Sequence, residues 1–238
     1  MSPFFNSMET NEDSLQPSAD KNPNTYDLNS SNFSNIGKCP GKEEDNSRAI
    51  KESRLLKLQT IAEKCYNCPL GQNRTRMVFG EGNVDCKIMF VAEAPGRTED
   101  EQGRPLIGRA GTLLRKMIIA IGLRVEDVYL ANICKCRPPN NRPPEDEEIG
   151  TCVKFLNKQI EIITPQLLVL LGRTAVKGLV PEHKAVPLDV LRKSTKEESI
   201  FYNGVPILIM YHPSALLRDP SKKIGAAEDF KFLQKKFS

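Results

Sequence analysis

The sequence predicts an α/β fold in which helices cover both faces of a parallel sheet. Short, nearly unbroken apolar runs alternate with stretches of helical period, and the runs are mostly apolar rather than alternating with polar residues. In order, 87–92 (KIMFVA) reads as a first buried strand, followed by a Gly/Pro loop and a helix over about 110–121. Residues 128–133 (VYLANI) form a second strand, followed by a Pro-rich loop and a helix over about 144–163. Residues 166–171 (QLLVLL) and 206–211 (PILIMY) give a third and a fourth strand, and a last helix covers about 225–236. Before the first strand, Ile50, Leu55, Leu58 and Ile61 make a helix-like apolar face that ends at a loop containing Cys65. Residues 181–203 are charge-rich and weakly patterned, so they are expected to be a loop or a small hairpin insertion. No internal repeat is visible.

Residues 1–48 are rich in Asn, Ser, Asp and Pro without an apolar period, which predicts a disordered tail. The folded domain is then expected over 49–238. The tail carries eight acidic and four basic side chains (net −4), and the remainder 30 basic against 22 acidic (net +8). A basic body favours a polyanionic partner such as nucleic acid. No apolar run reaches the roughly 18 residues needed to span a bilayer. The N-terminus has no basic stretch before an apolar core and no Arg-rich, acid-poor character, so an intracellular protein without membrane association is expected.

In that setting seven cysteines, an odd number, point to metal or cluster binding rather than a disulfide framework. Cys65-Tyr66-Asn67-Cys68 is a C-x2-C hook whose tight turn can aim two thiolates at one centre. Cys136 and Cys152 form a C-x15-C pair, one in a loop and one in the following helix. Four thiolates hold either structural zinc or an iron–sulfur cluster, and this spacing alone leaves both open. Cys134 is a rival ligand left outside the set, and Cys39 lies in the tail.

Functional loops of parallel sheets lie at the carboxyl ends of the strands, here 93–96, 132–136, Gly172 and 212–214. Taken alone, Asn132 there reads as a loop-capping residue and His212 as a hydrogen-bonded core histidine. The motifs around them are longer. After the first strand come Ala92-Glu93-Ala94-Pro95-Gly96, then Glu99-Asp100 and Gly103-Arg104-Pro105-Leu106-Ile107-Gly108-Arg109-Ala110-Gly111. The second strand runs from Asn132 to Cys136-Arg137-Pro138-Pro139 and Asn141-Arg142-Pro143, and the fourth ends in His212-Pro213-Ser214-Ala215-Leu216-Leu217-Arg218.

Together these resemble the family 4, iron–sulfur type uracil-DNA glycosylases over about residues 55–237. The resemblance implies a three-layer αβα fold around a four-stranded parallel sheet and a [4Fe–4S] cluster on Cys65, Cys68, Cys136 and Cys152. It implies excision of uracil from single- or double-stranded DNA by a monomer, leaving an abasic site. Asn132 becomes the reader of the uracil edge and His212 the donor to the departing base. Glu93 polarises water or stabilises the cationic sugar, since Ala94 stands where better-known uracil glycosylases carry a water-activating Asp. Glu99 blocks a thymine methyl group. Gly96, Gly108, Gly111 and Ser214 approach DNA, and Leu216, Leu217 and Arg218 form an intercalation loop. Leu106 occupies a position where the family has a Phe that stacks on uracil.

No motif-placed lysine points to Schiff-base chemistry, so a monofunctional enzyme is expected. A catalytically weak nucleic-acid-binding or replication-associated module of the same fold is the alternative. A dinucleotide-binding enzyme is disfavoured because no G-x-G-x-x-G follows the first strand.

Overall fold

The computed structural model describes residues 43–237. The expected tail lies outside them, except that 43–48 belong to the first helix. Helix α1 (Glu43–Glu63) leads to the Cys65 turn, and α2 (Pro69–Asn73) starts at Cys68 with Pro69 at its first position, where a missing N–H costs nothing. The chain continues through β1 (Glu81–Gly82), β2 (Ile88–Ala92), α3 (Arg97–Gln102), α4 (Arg109–Ala120) and β3 (Tyr129–Asn132). Next come α5 (Asp146–Ile163), β4 (Leu167–Leu171), α6 (Arg173–Leu179) and α7 (Leu188–Glu197). The last elements are β5 (Ile200–Tyr202), β6 (Val205–Met210), α8 (Pro213–Arg218) and α9 (Lys223–Phe237).

The strands lie in the order β1-β3-β2-β4-β6-β5. The four inner strands are parallel, with Ala92 opposite Asn132 and Leu171 opposite Met210. The outer two, β1 and β5, are antiparallel additions to the four-stranded sheet that the sequence predicts. At two and three residues they are too short to leave an apolar run.

Because side chains alternate along a strand, each inner strand feeds two cores. Met89, Val91, Leu168 and Leu170 join Leu55, Leu58, Leu156 and Val176 on one face. Ile88, Phe90, Leu167 and Val169 join Leu114, Ile118, Phe230 and Leu233 on the other. This is the predicted three-layer arrangement.

Two local expectations are corrected. The buried stripe of α1 is Leu55, Leu58 and Ala62, whereas Ile50 and Ile61 are 52% and 40% exposed. One step of 100° per residue separates Ile61 from the stripe that Ala62 occupies. In residues 181–203, expected as a loop or a small hairpin insertion, the hairpin is present as β5 turning back into β6 through Asn203 and Gly204, both with positive φ (48° and 79°), but it is preceded by an unexpected helix, α7.

The charges of α7 hid its packing. Arg192, 5% exposed, donates to Asp229 of α9 at 2.8 Å, and Lys196 Nζ lies 2.6 Å from the other carboxylate oxygen without hydrogen-bond alignment. The Arg192 guanidinium also stacks 3.9 Å over the Tyr211 ring, so α7 braces the residue next to His212. Asp229→Ala removes the buried carboxylate partner of this guanidinium, leaving it only the Gly225 carbonyl and exposed Asp189 at 3.6 Å, and is expected to cost about 3–5 kcal/mol. Thermal melting reads this directly, and an unchanged Tm would show that the pair contributes nothing.

Candidate active site and cysteine centre

The carboxyl ends of β2, β3 and β6 open into one cleft of about 410 Å³. Asn132, the last residue of β3, is 1% exposed, and neither its amide nitrogen nor its amide oxygen has a hydrogen-bond partner in the protein. An unpaired buried amide costs about 1–3 kcal/mol per group, so this side chain is held ready for something the protein does not itself provide.

His212 follows β6 from a neighbouring strand end. Its Nδ1 accepts from the Ser214 backbone N–H at 3.2 Å and lies 2.8 Å from the Ser214 hydroxyl. In the neutral ring this leaves the proton on Nε2. Burial, and then the nearby Arg218 charge, push the imidazole down to about 4, against a smaller opposing pull from Glu99. The ring is therefore a neutral N–H donor at ordinary pH.

Glu93, directly after β2, has one carboxylate oxygen held by the Thr174 hydroxyl. Thr174 stands in the first turn of α6, and Gly172 makes that turn possible. Its φ is +85°, and a Cβ there would lie 3.0 Å from His212 Cβ. The end of β4 thus sits between Glu93 and His212 and touches both.

Glu99 is buried and accepts from the backbone N–H groups of Ile107 (3.0 Å) and Gly108 (2.7 Å). Cβ atoms at Gly96 and Gly108 would lie 2.8 and 3.1 Å from its carboxylate oxygens. At Gly111 a Cβ would lie 1.9 Å from the Leu106 carbonyl oxygen. All three glycines line the cleft, and each also makes room for a neighbour within the protein. Leu106 lines the cleft in a left-handed conformation (φ 53°), uncommon for a side chain of its size, with its carbonyl accepting from Arg115 at 3.1 Å.

Ala94, Ser214 and Arg218 line the cleft. Leu216 does not, since it is 2% exposed and packs toward α4 and α9, away from the mouth. Its expected part in an intercalation loop is corrected accordingly, because consecutive residues of α8 point about 100° apart and only Leu217, 43% exposed, faces outward.

The sequence reading missed Thr174, whose only signal is its place just after a strand end. It also gave no role to Arg142, whose guanidinium pairs bidentately with buried Glu148 (2.8 and 2.7 Å), nor to Arg109. Both line the cleft, and Arg109 and Arg218 carry no ion pair among the described residues.

Cys65, Cys68, Cys136 and Cys152 ring a small cavity together with Arg74, Lys135, Met77 and Phe155. Arg74 donates to Cys136 Sγ at 3.2 Å and the Lys135 backbone N–H to Cys152 Sγ at 3.1 Å. The Cys134 thiol, then burial opposing it, then Lys135 bring Cys152 down to about 7. Burial pushes Cys136 up to about 11 against the pull of Arg74. Cys134 lies outside the ring, where its interaction with Cys152 and burial push its thiol up. Among the described residues no three His, Cys, Asp or Glu side chains converge on a single-ion position.

The Lys135 side chain, 1% exposed, donates to the Asn132 carbonyl (2.9 Å) and to Gln159 (2.6 Å). One residue therefore joins the cysteine ring to the floor of the cleft.

A model of the uracil DNA glycosylase superfamily matches residues 79–235. The type-4 uracil-DNA glycosylase of Thermotoga maritima is 46% identical over 162 residues, 68% of this chain and 82% of that protein. The type-4 uracil-DNA glycosylase of Sulfurisphaera tokodaii is 41% identical over 180 residues, 74% of this chain and 82% of that protein. With its sheet, strand-end cleft and sequence in agreement, the chain belongs to the uracil DNA glycosylase superfamily.

Proposed function

We propose that the protein removes uracil from single- or double-stranded DNA as an intracellular monomer, and that it carries a [4Fe–4S] cluster. The observation that carries the catalytic reading is Asn132: a buried carboxamide with both polar atoms unpaired, at the floor of a cleft shared with a neutral histidine.

Uracil inside a duplex is unreachable, so the base has to leave the stack. Asn132 then accepts from uracil N3–H and donates to O4, a pairing that cytosine reverses. As the bond from N1 to the sugar breaks, N1 takes the electron pair and charge spreads to O2, where His212 Nε2–H donates. Since His212 is neutral, it stabilises the leaving anion by a hydrogen bond rather than by giving up a proton. Glu93, with one oxygen tied to Thr174, turns the other toward the sugar, where it stabilises positive charge and orients the incoming water. Glu99, locked on two backbone N–H groups, supplies a fixed wall against a 5-methyl group. Leu217 enters the gap left by the base, and Arg109 and Arg218 face the phosphates.

The cysteine ring fits the cluster, since four thiols surround one cavity and two N–H donors point at sulfur. Bound there, the cluster supplies a cross-link between the α1–α2 turn, the exit of β3 and α5.

Incubation with a uracil-containing oligonucleotide followed by alkali is expected to cut the strand at the uracil. Intact DNA under all conditions would leave only the binding-module alternative. In Leu106→Phe, a ring replacing an aliphatic side chain is expected to raise kcat/KM about 5-fold or more, because base–aromatic stacking contributes about 1–3 kcal/mol. Equal kinetics would show that Leu106 already fills that place.

Of the two histidines, His212 is expected to titrate by NMR at about 4. The unfolded chain then binds its proton near the ordinary value of about 6.5. This contribution to stability is complete above that pH and is lost as pH falls toward 4. Titration near 6.5 in the folded protein would contradict the half-buried, neutral ring.

A further inference from the structure

The C-x2-C turn presents Tyr66 with 62% of its surface exposed, an unusual setting for an aromatic ring. One face of the ring is covered by the Arg74 guanidinium, 5.0 Å from the ring centroid. Arg74 is itself fixed, donating to Cys136 Sγ and to the Glu63 carbonyl. A cation anchored at two points packs against the ring, most of whose surface stays open to solvent. The ring borders a polar groove also lined by Gln72, Arg76, Gln102 and Gly103. The Arg76 side chain makes no hydrogen bond or ion pair among the described residues. The one acidic lining residue, Glu63, accepts from Gln59.

The groove connects to the cleft through α3. Its first residues, Arg97 to Glu99, line the cleft, and its last, Gln102, lines the groove. Six residues of helix span about 9 Å, a distance a DNA strand covers in a few nucleotides.

From this geometry we propose that Tyr66 and Arg76 form a second nucleotide subsite, binding an unpaired base and its phosphate on the strand that flanks the uracil. A held aromatic face and a free cation are what single-stranded DNA binds, whatever the base. The proposal rests on DNA being the substrate.

The experiment compares KM and kcat on single-stranded uracil oligonucleotides whose flanks are cut, from either end in turn, from six nucleotides to one. With long flanks, Tyr66→Ala is expected to raise KM about 5-fold or more, while Tyr66→Phe matches the parent and kcat holds. With the relevant flank reduced to one nucleotide, parent and Tyr66→Ala should converge. Equal KM on every substrate, or an equal loss on the shortest, would overturn the subsite. Arg76→Gln does not touch the cysteine ring and guards against a folding defect in the tyrosine variant. It is expected to lower the salt slope of log KM by about one on long flanks, and an unchanged slope would also count against the proposal. If the parent cuts none of these substrates, the glycosylase reading itself fails, a result distinct from convergence of parent and variants.

Discussion

Asn132→Ala is expected to lower kcat/KM on uracil-containing DNA by about 10²–10³-fold while leaving the melting temperature unchanged or higher. The two effects share one cause. In the free protein the carboxamide is buried with both polar atoms unpaired, which costs about 1–3 kcal/mol per group. Alanine removes that cost and with it the donor and acceptor that, in the proposed mechanism, face the base. A structural residue would behave in the opposite way, losing stability and activity together. Full activity in Asn132→Ala would refute the assignment of the base reader, and a lower Tm would show that the side chain has an unrecognised partner. His212→Ala tests the second donor in the same assay, and its Nε2–H is worth a comparable loss if the charge on the departing base falls on it.

The second large effect is expected on breaking the cysteine ring. Cys136→Ala should purify without broad absorption near about 400 nm, with activity reduced at least as far as in Asn132→Ala. Only three residues separate Cys136 from Asn132. Between them, Lys135 holds the Asn132 carbonyl with its side chain and Cys152 with its backbone N–H. Losing a ligand therefore frees both the α1–α2 turn and the segment that carries the base reader. Opening a cross-link that closes such long loops is expected to cost about 3–5 kcal/mol in stability. Cys86→Ala is the control, because Cys86 is buried outside the ring and should leave the absorption intact. Retention of the 400 nm band in Cys136→Ala would remove that residue from the ligand set.

The four parallel strands were legible because each is buried on both faces and so reads as an unbroken apolar run. β1 and β5 were not, because an edge pairing of two or three residues depends on what lies beside it rather than on its own composition. α7 escaped for a different reason. Its buried face carries Arg192, whose charge is matched by a partner 37 positions away, information no local pattern contains. Within the cleft, strand-end residues inside long motifs could be placed from sequence, namely Glu93, Asn132 and His212. Thr174 could not, since a threonine after a strand is ordinary until its hydroxyl is seen on Glu93. Leu216 and Leu217 looked equivalent as a pair, and only the helical turn of α8 separates the buried one from the exposed one. The cysteines were legible as a set but ambiguous as to metal, because spacing records reach and not the shape of the cavity they share.

The strand order has a kinetic consequence. Asn132 ends β3, and Glu93, Thr174 and His212 follow β2, β4 and β6; these strands lie side by side yet enter the chain at intervals of about 40 residues. No two of these strands can be joined by a tight turn, since parallel neighbours need a crossover. Contacts of such sequence separation form slowly. These side chains therefore cannot meet in any early, locally structured state, and His212 arrives only with the last strand of the sheet. Recovery of activity during refolding should lag recovery of helix content, and a nascent chain ending before β6 would have no working site.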